Sequence, residues 1–213
     1  MHLYSFFNSS TSYRVRIALA IKGVKADYKG IDLRAGEQRS EDYRALNPAA
    51  GVPWLVDDQG NGLGQSLAII DYLEALYPEP PLLPAEPLLR ARTLELANLI
   101  ACDIHPVNNL RVRKYLANEL ALSEEQQERW YRYWLAEGLA AAEALLQRHG
   151  FGDYCFGDTP TVADCCLVPQ VANGIRTNCD LTPYPGVMAV YHHCQQQPAF
   201  QQAAPDQQPD YKP

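Results

Sequence analysis

At 213 residues and 47% hydrophobic content, the chain has room for one large or two small domains with buried cores. Its 25 acidic residues outnumber 18 basic ones, and the formal charge of −7 argues against nucleic acid or an anionic membrane as the main partner. No run approaches the roughly 20 apolar residues of a membrane span, and the first residues lack a signal-peptide pattern. The six cysteines (Cys102, Cys155, Cys165, Cys166, Cys179 and Cys194) form no CxxC pair. A cytoplasmic protein with reduced thiols and no metal is expected.

Residues 2–7 carry the aromatic and apolar content of a strand. A polar cluster over 8–12 follows, then Val15, Ala18 and Leu19 at helical spacing. The pattern predicts strand, tight loop and a helix over 12–22, closed by Gly23. Ser9, Ser10 and Thr11 each offer a hydroxyl that suits an N-cap. A second strand is expected over 26–33, a polar loop over 36–40 and a short helix over 41–46. The loop through Val52-Pro53 feeds a third strand, and the hairpin residues at 58–62 point to an antiparallel return through Leu63. Gln65-Ser66 opens a third helix with Leu67, Ile70, Leu73 and Leu76 as its apolar positions. This β-α-β-α-β-β-α order matches a thioredoxin-like α/β layout. Pro53 before a strand reads as an edge or cis turn, or as an ordinary trans proline. A cis bond would leave the Val52 backbone free to pair with an extended peptide.

Five prolines between 77 and 87 mark a boundary. The division expected is an α/β domain over 1–80, a linker over 78–87 and an all-α domain over 88–213. Leu89, Thr93, Leu96, Ile100 and Ile104 step along one face of a long helix. Capping signals at Ser123 and Thr161 open two more, a last helix covers 187–196, and 205–213 is a polar tail.

The loop at 8–12 has chemical value. A helix N-terminus favours anions and lowers the pKa of a thiol placed there. No cysteine sits in this loop, so a thiolate stabilised by it must arrive on a ligand. Helix capping alone is the competing use of these hydroxyls.

The run Ser9-Ser10-Thr11-Ser12-Tyr13-Arg14-Val15-Arg16-Ile17-Ala18-Leu19 resembles the zeta-class glutathione transferase signature, Ser-Ser-Cys-x-Trp-Arg-Val-Arg-Ile-Ala-Leu. Leu46-Asn47-Pro48, Val52-Pro53, Gln65 to Ile70, Cys166 to Asn173 and Leu181 to Pro185 extend the match through both domains. Thr11 stands in place of the signature cysteine and Tyr13 in place of tryptophan. The resemblance implies the cytosolic glutathione transferase architecture, a homodimer and glutathione as cofactor. The implied activity is cis–trans isomerisation of a maleyl keto acid in aromatic-compound degradation, maleylpyruvate ahead of maleylacetoacetate. General conjugation or peroxidase chemistry on electrophiles, or a non-catalytic binding module, are the alternatives.

By the same resemblance, Ser9 donates to the glutathione sulfur, with Ser10, Thr11 and the helix N-terminus assisting. Val52 beside Pro53 pairs with the cysteinyl backbone, Gln65 and Ser66 hold the γ-glutamyl carboxylate, and Gln38 reaches the glycyl end. His105, Asn109, Leu110 and Arg111 complete the expected glutathione contacts. Arg14, Arg111 and Arg176 are the expected grips on a small dicarboxylate substrate, with Arg16 a further local cation.

Overall fold

The computed structural model describes residues 1–212 and divides into two compact units, Met1–Leu83 with Gln195–Pro213, and Pro84–Cys194. The first unit therefore reclaims the segment after 194, which the sequence pattern assigns to the helical domain. In this unit strands β1 (His2–Ser5), β2 (Asp27–Gly30), β3 (Trp54–Val56) and β4 (Gly62–Gly64) form one sheet in the order β2-β1-β3-β4. β1 runs parallel to β2 and antiparallel to β3, and β4 returns antiparallel on β3. Leu3 lies opposite Leu55, and Leu55 opposite Leu63, with Leu3 and Leu55 buried. The Trp54 ring lies across β4: a Cβ on Gly62 would stand 2.3 Å from Trp54 Cζ2, so only glycine fits there.

Helix α1 (Ser10–Ile21) buries Val15, Ile17, Ala18 and Leu19, and helix α3 (Ser66–Leu76) buries Ile69, Ile70 and Leu73. Between β2 and β3 come a 3-10 turn at Glu37–Arg39 and helix α2 (Glu41–Leu46). Lys22 holds the linker to this unit: its ammonium donates to the Tyr77 and Pro80 carbonyls and sits 2.6 Å from Glu74. The Glu74 carboxylate in turn accepts from the Leu82 and Leu83 N–H groups.

Three boundaries differ from the expectations. β1 ends at Ser5 because the Phe6 and Phe7 carbonyls turn to the Arg16 guanidinium. β2 ends at Gly30 because the Asp32 carboxylate takes the Arg34 and Ala35 N–H groups and folds the chain into a turn. α1 starts at Ser10, two residues early, since Ser9 is its cap.

The second unit is helical: α4 (Pro87–Asn98), α5 (Leu110–Asn118), α6 (Glu124–His149), α7 (Val162–Arg176) and α8 (Pro185–Gln195), whose last residue falls past the division. The long helix expected through Ile104 is not uniform. α4 gives way to a π turn at Leu99–Ile104 and a 3-10 turn at Pro106–Asn108. Leu96, Ile100 and Ile104 are nonetheless buried. Gly138 on α6 permits this, as a Cβ there would come 2.2 Å from Ile104 Cγ1. Ser123 and Thr161 form full capping boxes on α6 and α7, as their spacing predicts.

The polar tail expected over 205–213 carries structure, as do the residues just before it. Helix α9 (Pro198–Ala203) and a 3-10 turn at Pro205–Gln207 lie in the first unit with β1, β2 and α1. Asp210 accepts from the Tyr28 hydroxyl at 2.6 Å and from the Phe7 N–H at 3.1 Å. Tyr211 meets Phe7 edge to face, 5.4 Å between ring centres.

Candidate active site

Ser9 closes the turn out of β1. Its extended backbone points the hydroxyl back along α1, where it accepts from the Ser12 N–H at 3.2 Å. The same oxygen lies 2.9 Å from Thr11 Oγ1, and Thr11 Oγ1 donates to the Val52 carbonyl at 2.9 Å. A threonine hydroxyl has one proton. With that proton on Val52, the Ser9–Thr11 bond must run from Ser9 to Thr11. The Ser9 proton is therefore held by a neutral acceptor, at the positive end of a helix, on a half-buried side chain. A thiolate is a stronger acceptor and can take over that hydrogen bond, the proton staying on Ser9. Ser10, the first residue of α1, is buried, while Thr11 is half-buried.

Arg16 sets the turn that presents Ser9. Its Nη1 donates to Ser5 Oγ and the Phe6 carbonyl, its Nη2 to the Phe7 carbonyl and its Nε to the Ala203 carbonyl. The Phe6 carbonyl also accepts the Ser9 N–H at 2.9 Å. Burial pulls the Arg16 guanidinium down to about 10, against the raising influence of Tyr28, Tyr13 and Asp210. Arg16 is thus committed to backbone oxygens. The expectation of a cation available to ligand is corrected by this geometry.

Val52-Pro53 is a cis bond, one of the alternatives left by the sequence, as is Glu79-Pro80. The Val52 N–H makes no hydrogen bond among the described residues. Gln38, on the 3-10 turn before α2, is buried with no hydrogen-bond partner for its Oε1 among the described residues. Gln65 precedes α3 at φ 66, a left-handed conformation rare outside glycine, and its side chain makes no cap bond. Ser66, buried, is the first residue of α3 and receives Arg14 Nη1 at 3.2 Å. Arg14 was expected at the substrate; it is 2% exposed and lies behind Ser66 instead.

In the second unit, His105 follows the π turn and Asn109 caps α5. Asn109 Oδ1 accepts the Arg111 N–H, which leaves its amide nitrogen to donate to His105 Nε2 at 3.0 Å. His105 Nε2 is therefore an acceptor and its ring proton sits on Nδ1. Asn108 is buried and donates to the Tyr131 carbonyl, and the Trp130 indole donates to the Val107 carbonyl, so α6 holds the segment in place. Leu110 and Arg111 are exposed at the α5 N-terminus.

Arg176 ends α7, exposed, donating to Asn173 Oδ1 at 2.9 Å. Burial pushes the Tyr131 phenol up, while the Thr177 hydroxyl, Arg176 and Arg113 pull it down. Two cations therefore bear on one phenol. Arg113 escaped the sequence reading. It stands 5.5 Å from the Tyr131 ring, and its Nε is buried without a hydrogen-bond partner among the described residues. No motif spacing marks it. Its placement follows from the α5–α6 packing.

Residues 1–75 match the family model for the glutathione S-transferase N-terminal domain. A maleylpyruvate isomerase from Ralstonia sp. is 46% identical over 211 residues, covering 99% of each chain. The holo structure of a maleylpyruvate isomerase described as a bacterial glutathione S-transferase of the zeta class is also 46% identical. It covers 100% of both chains at a TM-score of 0.97. A maleylacetoacetate isomerase from Methylobacterium extorquens AM1, solved with malonate and glutathione bound, is 37% identical over 100% of both chains, with a TM-score of 0.96. The chain belongs to the glutathione S-transferase family, within its zeta class.

Proposed function

We propose that this chain is a glutathione-dependent cis–trans isomerase that converts a maleyl keto acid, maleylpyruvate ahead of maleylacetoacetate, to its fumaryl isomer. The observation that carries the reading is the Ser9 hydroxyl, which caps α1 and can turn its O–H from Thr11 to a sulfur as a hydrogen-bond donor. The unpartnered Val52 N–H, Gln38 Oε1 and Arg14 N–H groups fit an extended, anionic peptide on the first unit. Bound glutathione would supply a thiolate able to add to one carbon of the maleyl double bond and to leave again once the bond, then single, has turned, so that the trans double bond returns with glutathione unchanged.

The chain's own residues do the rest. Ser9, with Ser10, Thr11 and the α1 dipole, keeps the sulfur ionised. Val52 aligns the cysteinyl backbone, Gln65 and Ser66 hold the γ-glutamyl carboxylate at the start of α3, and Gln38 takes the glycyl end. His105, Asn109, Leu110 and Arg111 surround the α5 N-terminus, a second place for an anion. Arg176, with Arg113 beside the same phenol, binds a substrate carboxylate and offsets the negative charge that develops on the keto group. The working form is a homodimer, and sedimentation at the mass of one 23.8 kDa chain would reject that.

The test compares turnover of maleylpyruvate, maleylacetoacetate and a chlorodinitrobenzene with glutathione present. The expected result is fumaryl product only when glutathione is added, with no net glutathione consumed. Conjugation of the aromatic chloride without isomerisation of either maleyl acid would overturn the assignment.

A further inference from the structure

Arg14 has an unusual position for a charged side chain. It is 2% exposed, and among the described residues no carboxylate pairs with it. One hydrogen bond is made, from Nη1 to Ser66 Oγ at 3.2 Å, while Nε and Nη2 have none. A buried cation without an anion is costly. The α3 N-terminus adds its own positive end at the same place, and Gln65 holds a left-handed backbone directly before it. Two features at this spot, the buried guanidinium and the start of α3, ask for negative charge.

The direction of the Arg14–Ser66 bond is informative. A guanidinium only donates, so Ser66 Oγ is the acceptor and its single proton points away from Arg14. Ser66 is thereby fixed as a donor towards whatever meets the start of α3. We infer that Arg14 is a positioning residue for glutathione: it orients the Ser66 proton and supplies, from behind, the charge that recognises the γ-glutamyl α-carboxylate. It does not touch the maleyl substrate, unlike the sequence-based expectation. The inference rests on the glutathione reading above and adds which buried charge serves which carboxylate.

The test uses calorimetric binding of two ligands, glutathione and 4-aminobutyryl-cysteinyl-glycine, which lacks only that carboxylate. Wild type should prefer glutathione. Arg14→Met should weaken glutathione binding by about tenfold, one charge-assisted contact, and leave the analogue's affinity unchanged. Arg14→Lys, which keeps a donor-only cation, should recover part of the preference. KM for maleylpyruvate at saturating glutathione should not move. Equal losses for both ligands would make Arg14 a purely structural residue and overturn the inference. If Arg14→Met does not fold, a cycle of Arg14→Lys with Ser66→Ala decides: the lysine's effect should vanish once Ser66 is gone, and an unchanged effect refutes the relay. A wild type that binds both ligands equally would instead remove the α3 carboxylate site itself, and the glutathione placement with it.

Discussion

Replacing Asp210 by alanine should loosen the turn that presents Ser9. The carboxylate accepts the Phe7 N–H at 3.1 Å and the Tyr28 hydroxyl at 2.6 Å, so two hydrogen bonds to a charged group are lost. Such bonds contribute roughly 1.5–3 kcal/mol each. Asp210 is half-exposed, and water can reach part of the gap, so the expected total is about 2–4 kcal/mol. At about 2–4 °C per kcal/mol for a chain of this size, the thermal midpoint should fall by roughly 5–15 °C. Phe7 is the residue after Phe6, whose carbonyl anchors the Ser9 N–H, so glutathione thiolate formation should weaken as well. Urea unfolding measures the first effect, and the ultraviolet absorbance of bound thiolate the second. Burial, then Asp210, pushes the Tyr28 phenol up, so its titration should move down in the variant. Asp210→Asn keeps one acceptor oxygen and should fall between. Stability within about 0.5 kcal/mol of wild type, with an unmoved Tyr28, would show that the tail does not hold the turn.

Ser9→Ala loses a cap, about 1 kcal/mol of stability, and a donor to the sulfur, for a tenfold to hundredfold drop in turnover at roughly 1.5–3 kcal/mol; full activity would move the role to Ser10 or Thr11. Arg176→Ala should raise KM for maleyl acids with kcat/KM down by roughly tenfold or more, glutathione affinity holding steady in a binding titration. Gly138→Ala drives a methyl into Ile104 and should cost about 1–3 kcal/mol by denaturant unfolding, with Ile104→Val in the same chain recovering part of it. Asp57 is held below its ordinary 3.8 by the Tyr72 hydroxyl, the Asn61 side chain and N–H, and the Gln59 N–H. A depressed folded value means its contribution is complete above the unfolded pKa and is lost as pH falls below it. Acid titration of stability should therefore steepen below about pH 4, and Asp57→Asn should flatten that limb.

The strand–loop–helix start was legible because hydroxyls, aromatic residues and a 3.6-residue period coincide within twenty positions. The two arginines of the same run were not separable. Arg14 and Arg16 lie two apart on α1, nearly opposite faces of a helix, so one reaches the start of α3 and the other the tail. The choice depends on what packs on each side. The π turn at Leu99–Ile104 was hidden because its apolar residues still fit a helical stripe, with Ile100 and Ile104 buried either way. The tail at 205–213 read as a fringe because its anchors, Asp210 on the Phe7 N–H and Tyr211 against the Phe7 ring, are two adjacent residues that make no apolar period.

That tail also fixes an order of assembly. The second unit is one unbroken stretch, Pro84–Cys194, whereas the first needs Gln195–Pro213 as well as Met1–Leu83. Arg16 to Ala203 spans 187 positions and Phe7 to Asp210 spans 203. During synthesis the opening α/β segment emerges well before Ala203, so its Arg16 guanidinium lacks that carbonyl until the segment after residue 194 follows. A product clipped near residue 194 would carry the loop hydroxyls without the Ala203 and Asp210 contacts that brace the turn.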